Sequence, residues 1–274
     1  MAQGAQLFGV LRYMHSALAD GITLTKRDIY YRDPPLFGSA RTVDALVDRI
    51  ALTLDCPRPS LGVCATPRGV YSGAIHIALH AQPPHTQAGD APPALTLAAP
   101  DESAIRTISV PARWVLVVEK YAVFQTLQSM RFLDRSAAHG IAGRGALITG
   151  KGYPDVATRA LLCALLRCSK SVHIFFLVDA NPHGLDILRT YCDALQGMPS
   201  AIAARTHWIG LRTREWMQVP AAIPLPLSRV DRRMAQRLLQ RTELPAAWRA
   251  EVAAQLHVGY KCELEVLCEE PGKG

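Results

Sequence analysis

The sequence predicts an α/β protein in two parts: a small helical unit ending in a β-hairpin, then a parallel sheet covered by helices on both faces, with further helices toward the C-terminus. Three observations carry this expectation. Residues 6–54 are dominated by apolar positions at helical spacing. Residues 81–104, AQPPHTQAGDAPPALTLAAPDESA, are rich in Pro, Ala and polar residues and keep no period, which marks a connection. Beyond them apolar runs alternate with helical patterns: WVLVV then AVFQTLQSM, ALIT then PDVATRALLCALL, HIFFLV then GLDILRTYCDAL. Strand-helix repetition of that kind builds a parallel sheet between two helical layers.

The elements follow in order. QLFGVLRYMHSALA, 6–19, sets Leu7, Val10, Leu11, Met14 and Leu18 at helical spacing. In LTKRDIYYRDPPLF, 24–37, Thr25 and Asp28 have the spacing of a capping box, and Leu24 with Ile29 makes a hydrophobic staple. A second helix therefore starts at Lys26, and Pro34 and Pro35 stop it. A third, Arg41 to Leu54, turns Val43, Leu46, Val47, Ile50 and Leu54 to one face. SLGVCAT, the turn PRG and VYSGAIHIAL read as a hairpin. Three helices and a hairpin are the pattern of a CAP-like winged helix-turn-helix. Expected bounds are 1–80 for this unit, 81–112 for the connection and 113–274 for the sheet unit. In the tail, Ser228 and Asp231 form a second capping box, ahead of helical patterns at 229–240, 245–256 and 261–268.

The 274 residues are 49% apolar, enough for two cores, and carry a net charge of +7, which favours a polyanionic partner such as nucleic acid. No run approaches the ~18 apolar residues of a membrane span. The seven cysteines include no C-x-x-C pair, which argues for reduced thiols and against a zinc site.

Open α/β folds place ligands where the strands end, and there this sequence has acids: Glu119 after WVLVV and Asp179 after HIFFLV. Paired carboxylates suit Mg²⁺, which takes oxygen ligands and shares its shell with phosphates; alternatively each caps the following helix. GALITGKGYPD, 145–155, mimics a phosphate loop, yet Gly152 stands where a Ser or Thr would hold the metal, and ALIT reads as a strand. What survives is a tight Gly150-Lys151-Gly152 turn before a helix opening at Pro154, with Lys151 free to meet a phosphate. His76, His80 and His85 are not read as a metal site, since His76 and His80 alternate with Ile75, Ile77 and Leu79. His183, in ANPHG, reads as a turn histidine near Asp179.

Tyr30 and Tyr31 separate by helical phase. With Ile29 inward, Tyr31 lies about 200° away and Tyr30 only about 100°. Arg27 shares the face of Tyr31, four residues on, and Lys26 that of Tyr30. A phenol titrates near ~10, so its attack on phosphorus needs a neighbouring cation, which Arg27 is placed to supply; the alternative is packing at a helix end.

Four motifs in order, TKRDIYY at 25–31, VEKYAVFQ at 118–125, ITGKGYPDVATR at 148–159 and VDANPHGLDIL at 178–188, resemble the meiotic DNA double-strand-break transesterases, the Spo-eleven family, relatives of the A component of topoisomerase VI. The similarity runs over roughly residues 5–270. It implies a winged-helix domain bearing the catalytic tyrosine, followed by a Toprim domain. By position, Tyr31 is the implied nucleophile and Arg27 its assistant; Glu119, Asp179 and Asn181 fall on the Mg²⁺ acids, for which Mn²⁺ substitutes; Arg68, Lys151 and Tyr153 fall where the family approaches DNA. The implied reaction is attack of Tyr31 on a phosphodiester with departure of the 3′ hydroxyl, leaving a 5′-phosphotyrosyl link. Cutting both strands takes a homodimer, in which the tyrosine of one protomer works with the metal site of the other, and the expected setting is the nucleus.

Two departures qualify the resemblance. Asn181 stands where the family has the second acid of D-x-D, which lowers the expected metal affinity. The sequence also starts almost at the winged helix, without the longer segment through which family members engage a topoisomerase VI B-like partner; that partner is still expected, its docking surface missing, rebuilt or trimmed. VDANPHG and HWIGL, 207–211, look closer to the meiotic branch than to topoisomerase VI proper. Competing readings are the A component of a topoisomerase VI, which also religates, a DNA-binding or assembly factor with weak cleavage, and a Toprim nuclease that uses water.

Overall fold

A computed structural model describes residues 2–21, 24–56, 58–64, 68–79, 95–96, 105–141, 143–196, 198–200, 204–220 and 222–268. The chain divides into two compact units, Met1–Pro67 and Arg68–Gly274.

The first unit holds α1 (Ala2–Ala19), β1 (Leu24–Thr25), α2 (Lys26–Arg32), α3 (Pro34–Phe37), α4 (Ala40–Thr53) and β2 (Val63–Cys64), with β1 and β2 paired in parallel. Its core joins Val10 and Met14 of α1 to Leu24, Ile29, Phe37, Val43, Val47 and Val63, so the stapled pair Leu24 and Ile29 is buried as the pattern predicts. Three apolar positions differ: Leu11, Leu18 and Leu54 are 40%, 49% and 58% exposed. Ala17 takes the core position one turn from Met14, and Leu54 lies beyond the last turn of α4.

The second unit begins with β3 (Val70–Gly73), β4 (His76–Leu79), β5 (Leu95–Thr96), β6 (Ile105–Ser109) and β7 (Trp114–Val118). There follow α5 (Tyr121–Ser129), α6 (Phe132–Ala138), β8 (Gly145–Thr149), α7 (Val156–Cys168), β9 (His173–Leu177), α8 (Pro182–Asp193) and β10 (Thr206–Gly210). The remainder is α9 (Thr213–Trp216), β11 (Leu225–Pro226), α10 (Arg229–Leu239), α11 (Ala246–Val258), β12 (Tyr260–Lys261) and a 3-10 turn at Leu264–Leu267, which replaces the helix expected at 261–268.

One sheet runs β10-β9-β7-β8-β3-β5, parallel from β10 to β8 and antiparallel beyond. Alternation places its side chains on two cores. Val115, Val117, Ile148, Ile174 and Phe176 pack with α7, α8, Ala235 and Leu238 on one face, whereas Leu116, Val118 and Leu147 meet Phe124, Trp216 and Leu264 on the other. Two helical layers around a mostly parallel sheet are thus as expected.

The predicted hairpin is corrected. Val70–Gly73 pairs with β8, Tyr71 opposite Ile148, and with β5, and Val63–Cys64 pairs with β1. The reason is burial: Val70, Tyr71 and Ser72 are all buried, so the strand needs cover on both faces, which a solvent-exposed wing lacks. The stretch 81–112, expected as an irregular connection, contains β5 and β6, with β6 antiparallel to β4; 80–94 and 97–104, and with them His80 and His85, lie outside the described residues. His76 is exposed on β4, as its alternation predicts. Among the described residues no disulfide forms, and no helix is long and apolar enough to cross a membrane.

Candidate active site

Two groups of predicted site residues lie in separate units. In the first, α2 starts on a complete capping box: the Asp28 amide donates to Thr25 Oγ1 at 3.1 Å and the Thr25 amide to Asp28 Oδ2 at 2.8 Å. This sets the phase of the helix, so Ile29 is fully buried, Tyr30 is half-buried against the core and Tyr31 is 69% exposed. The two rings touch, tilted at 57° with centroids 5.3 Å apart. The neighbouring cations divide in the same way. Lys26 is held by Asp44 at 3.0 Å and Asp48 at 3.4 Å on α4, whereas Arg27 is exposed and makes no ion pair among the described residues. Tyr31 therefore projects beside an uncommitted guanidinium, and Tyr30 belongs to the packing.

In the second unit the strand order β9-β7-β8 brings three strand ends together. Glu119 follows β7, Asp179 follows β9 and Gly150-Lys151-Gly152 follows β8. Both acids are buried, and neither caps a helix: α5 has Lys120 at its N-cap without a side-chain bond, and α8 is capped by Asn181. Glu119 Oε2 instead accepts the Asp179 amide at 2.8 Å, and Asp179 Oδ1 accepts the Leu264 amide at 2.9 Å. Burial, then the Asp179 charge, raises Glu119 to about 7. Burial likewise raises Asp179, against the Leu264 hydrogen bond and the Lys120 charge.

Asn181 also caps α8. Its Oδ1 accepts the Gly184 amide at 2.7 Å, and its Nδ2 faces Asp179 Oδ2 at 3.4 Å. The carbonyl oxygen is engaged at the helix N-terminus. Glu119 and Asp179 are buried acids whose oxygens suit a hard cation; among the described residues no three His, Cys, Asp or Glu side chains converge as a metal site.

Lys120, Glu263 and Glu265 join this site without belonging to any of the sequence motifs' site positions. Lys120 Nζ lies 3.4 Å from Asp179, 3.0 Å from Glu263 and 2.6 Å from Glu265. Burial works against its charge, but the hydrogen bonds to Glu265 and Glu263 and the charge of Asp179 outweigh that and raise the ammonium above the ordinary lysine range. The adjacency of Lys120 to Glu119 was a signal; the distant glutamates gave none, since the antiparallel bridge of Ala180 with Cys262 and the Leu264 amide bond to Asp179 carry the C-terminal segment to this edge from far along the chain.

The turn after β8 is tight, as predicted. Lys151 and Gly152 take left-handed φ values of 57° and 92°, and the Gly152 amide binds Glu119 O at 2.9 Å. Lys151 is exposed, with Nζ 4.3 Å from the centre of the Tyr121 ring. The helix opens at Val156 rather than Pro154, because Asp155 is the cap: its Oδ1 accepts the Thr158 amide at 2.7 Å. Its Oδ2 accepts the Arg68 and Gly69 amides, which anchors exposed Arg68 beside Tyr153. The Tyr153 hydroxyl donates to Asp186 at 2.8 Å; burial and that carboxylate raise its pKa, so it remains a neutral phenol. His183 turns to Asp231 of α10, 3.6 Å away.

A mostly parallel sheet with Glu119 at the end of one strand and Asp179 at the end of its neighbour defines the second unit as a Toprim domain. The model of the Toprim domain of the topoisomerase 6 A-subunit/Spo11 proteins matches residues 114–271, and that of type IIB DNA topoisomerase matches residues 3–63. The chain belongs to the topoisomerase 6 A-subunit/Spo11 family. It is 32% identical to meiotic recombination protein rec12 of Schizosaccharomyces pombe over 97% of this chain and 74% of that one. It is 33% identical to meiotic recombination protein SPO11-1 of Oryza sativa subsp. japonica, over 95% and 68%. Identity to the A3-subunit of DNA topoisomerase 6 of Oryza sativa subsp. indica is 32%, over 94% and 58%.

Proposed function

We propose that this chain initiates meiotic recombination by cutting duplex DNA through transesterification, with Tyr31 as nucleophile. The observation that carries this is the exposure of Tyr31 beside an unpaired Arg27, on a helix whose phase is locked by Ile29 and the Thr25–Asp28 box. The phenol oxygen bonds to phosphorus, its proton goes to solvent, and the 3′ oxygen leaves and is protonated. The product is a 5′-phosphotyrosyl ester, formed without water. Arg27 stabilises the negative charge on the phosphate, and the winged-helix form of the first unit belongs to this reading.

Glu119 and Asp179 would hold Mg²⁺ or Mn²⁺, which when bound supplies positive charge to the phosphate oxygens. Asn181 orients α8 beneath Asp179, and Lys120 keeps the carboxylates together. Arg68, Lys151 and Tyr153 contact the DNA backbone. Cleavage of both strands takes two copies, a topoisomerase VI B-like partner assists, and the site of action is the nucleus.

End-labelled duplex incubated with the protein and Mg²⁺ or Mn²⁺, with and without the B-like partner, tests this. Covalent adducts that survive denaturation, vanish in Tyr31→Phe and persist in Tyr30→Phe support it. Free 5′ phosphates that ignore Tyr31 would point to water as the nucleophile, religation of the cut duplex to a topoisomerase, and DNA binding with no adduct under any condition to an assembly role.

A further inference from the structure

Helix α10 divides sharply. Asp231, Ala235 and Leu238 are buried, and the opposite side exposes Arg229, Arg232, Arg233 and Arg237 with Gln236 between them. Arg229, Arg233 and Arg237 recur every four residues, advancing about 6 Å along the axis and about 40° around it at each step. The one acid of the helix, Asp231, is buried and held by Lys261 at 2.9 Å and Ser228 at 2.7 Å. Elsewhere in this unit Lys120, Arg189 and Lys261 have carboxylate partners, but none of the four arginines makes an ion pair or side-chain hydrogen bond among the described residues. Like charges at i,i+4 repel, so the face is held at a local cost that a polyanion removes.

The first turn of α10 lies near the carboxylate edge of the sheet. Asp231 lies 3.6 Å from His183, in the first turn of α8 that Asn181 caps, and Lys261, bound to the same Asp231, precedes the Cys262 that bridges to Ala180. We propose that the arginine face of α10 is a second DNA contact surface, which holds the backbone of the duplex where it runs on past the Glu119–Asp179 edge. The inference rests on the reading of this chain as a DNA-cutting protein and gives that substrate a path. Duplex DNA offers one negative charge per ~1.7 Å of its axis, so each arginine of the row finds a phosphate. Guanidinium groups suit that contact through paired N–H donors.

The test compares wild type with Arg229→Gln/Arg232→Gln/Arg233→Gln/Arg237→Gln, and with Arg233→Gln alone, for binding a fluorescent duplex between about 50 and 200 mM salt. All four positions are exposed, and circular dichroism and melting of both variants verify the fold. At ~0.9 per phosphate contact, the slope of log affinity against log salt should fall by about 3 to 4 in the quadruple variant and by about 1 in the single one. Unchanged slopes overturn the proposal, as would a loss confined to binding of polyglutamate, which would make the face a dock for acidic protein. Covalent adducts are scored in parallel. Adducts with unchanged slopes sink the surface and leave the cleavage reading standing; altered slopes without adducts in wild type do the reverse.

Discussion

Glu119 Oε2 accepts the backbone amide of Asp179 at 2.8 Å, so the side chain at the end of β7 is tied to the main chain at the end of β9. The bond holds the Glu119 carboxylate at the end of β9, where both acids are buried and the Asp179 charge acts on it. Lys120 offsets part of this charge, and without a divalent cation a proton on Glu119 relieves the rest.

That sets a pH dependence. The folded-state pKa of Glu119, about 7, lies above its ordinary value of 4.5, so the native state binds more protons than the unfolded chain between those limits. Stability from this group is full below about pH 4.5 and is lost as pH rises through about 7. In chelator, melting temperature should fall across that window, and less so in Glu119→Gln. Excess Mg²⁺ should flatten the fall in wild type, because a bound cation favours the charged form. Parallel wild-type and Glu119→Gln melting curves from pH 4.5 to 8 would sink the assignment.

Lys120 should act as an internal counter-ion. Lys120→Met leaves Asp179, Glu263 and Glu265 facing one another, and in chelator the second unit should lose about 1–3 kcal/mol, or roughly 2–4 °C in melting temperature per kcal/mol. Mg²⁺ should restore more stability in this variant than in wild type, since a divalent ion takes over the neutralising part. Thermal melts with and without metal measure both effects; equal metal-induced shifts would refute the idea.

Asn181 separates capping from metal binding. Asn181→Ala removes the Oδ1 that holds the Gly184 amide and should cost ~1 kcal/mol. Asn181→Asp keeps a capping oxygen but replaces the amide group facing Asp179 with a second charge. It should be less stable than wild type in chelator and should bind Mn²⁺ more tightly by calorimetry. Gly184 adds a steric check: a Cβ there would meet Asp179 O at 2.4 Å, so Gly184→Ala should cost roughly 1–3 kcal/mol and weaken Mn²⁺ binding.

Much of this site was legible because its signals are local. Strand ends followed by acids, the Thr25–Asp28 box and the Gly150-Lys151-Gly152 turn are each read within a few residues, and each folds as its spacing predicts. What escaped depends on distance along the chain. Val70–Gly73 has the same apolar pattern whether it pairs with Val63–Cys64 or with Gly145–Thr149, and only the buried interior of the sheet decides between them. Glu263 and Glu265 sit in the helical pattern of 261–268, which names no partner for them until Cys262 pairs with Ala180 and carries them to Lys120. The capping task of Asn181 was hidden because the D-x-D comparison weighs charge, whereas Ser, Thr, Asp and Asn cap through one oxygen alike.

Adjacent cations on α2 should separate stability from chemistry. Lys26 is 18% exposed and ties α2 to Asp44 and Asp48 of α4, so Lys26→Met should cost up to about 1 kcal/mol of stability and leave cleavage nearly unchanged. Arg27 is exposed and makes no ion pair among the described residues; Arg27→Met should therefore melt within about 0.5 kcal/mol of wild type. Because it faces the side of Tyr31, its loss should lower the rate of adduct formation by on the order of 10²-fold, the usual cost of removing one group that stabilises a reacting centre. Melting curves and adduct time courses on both variants decide this. If Lys26→Met lost the adducts while Arg27→Met kept them, the nucleophile would have to be sought on the face of Tyr30.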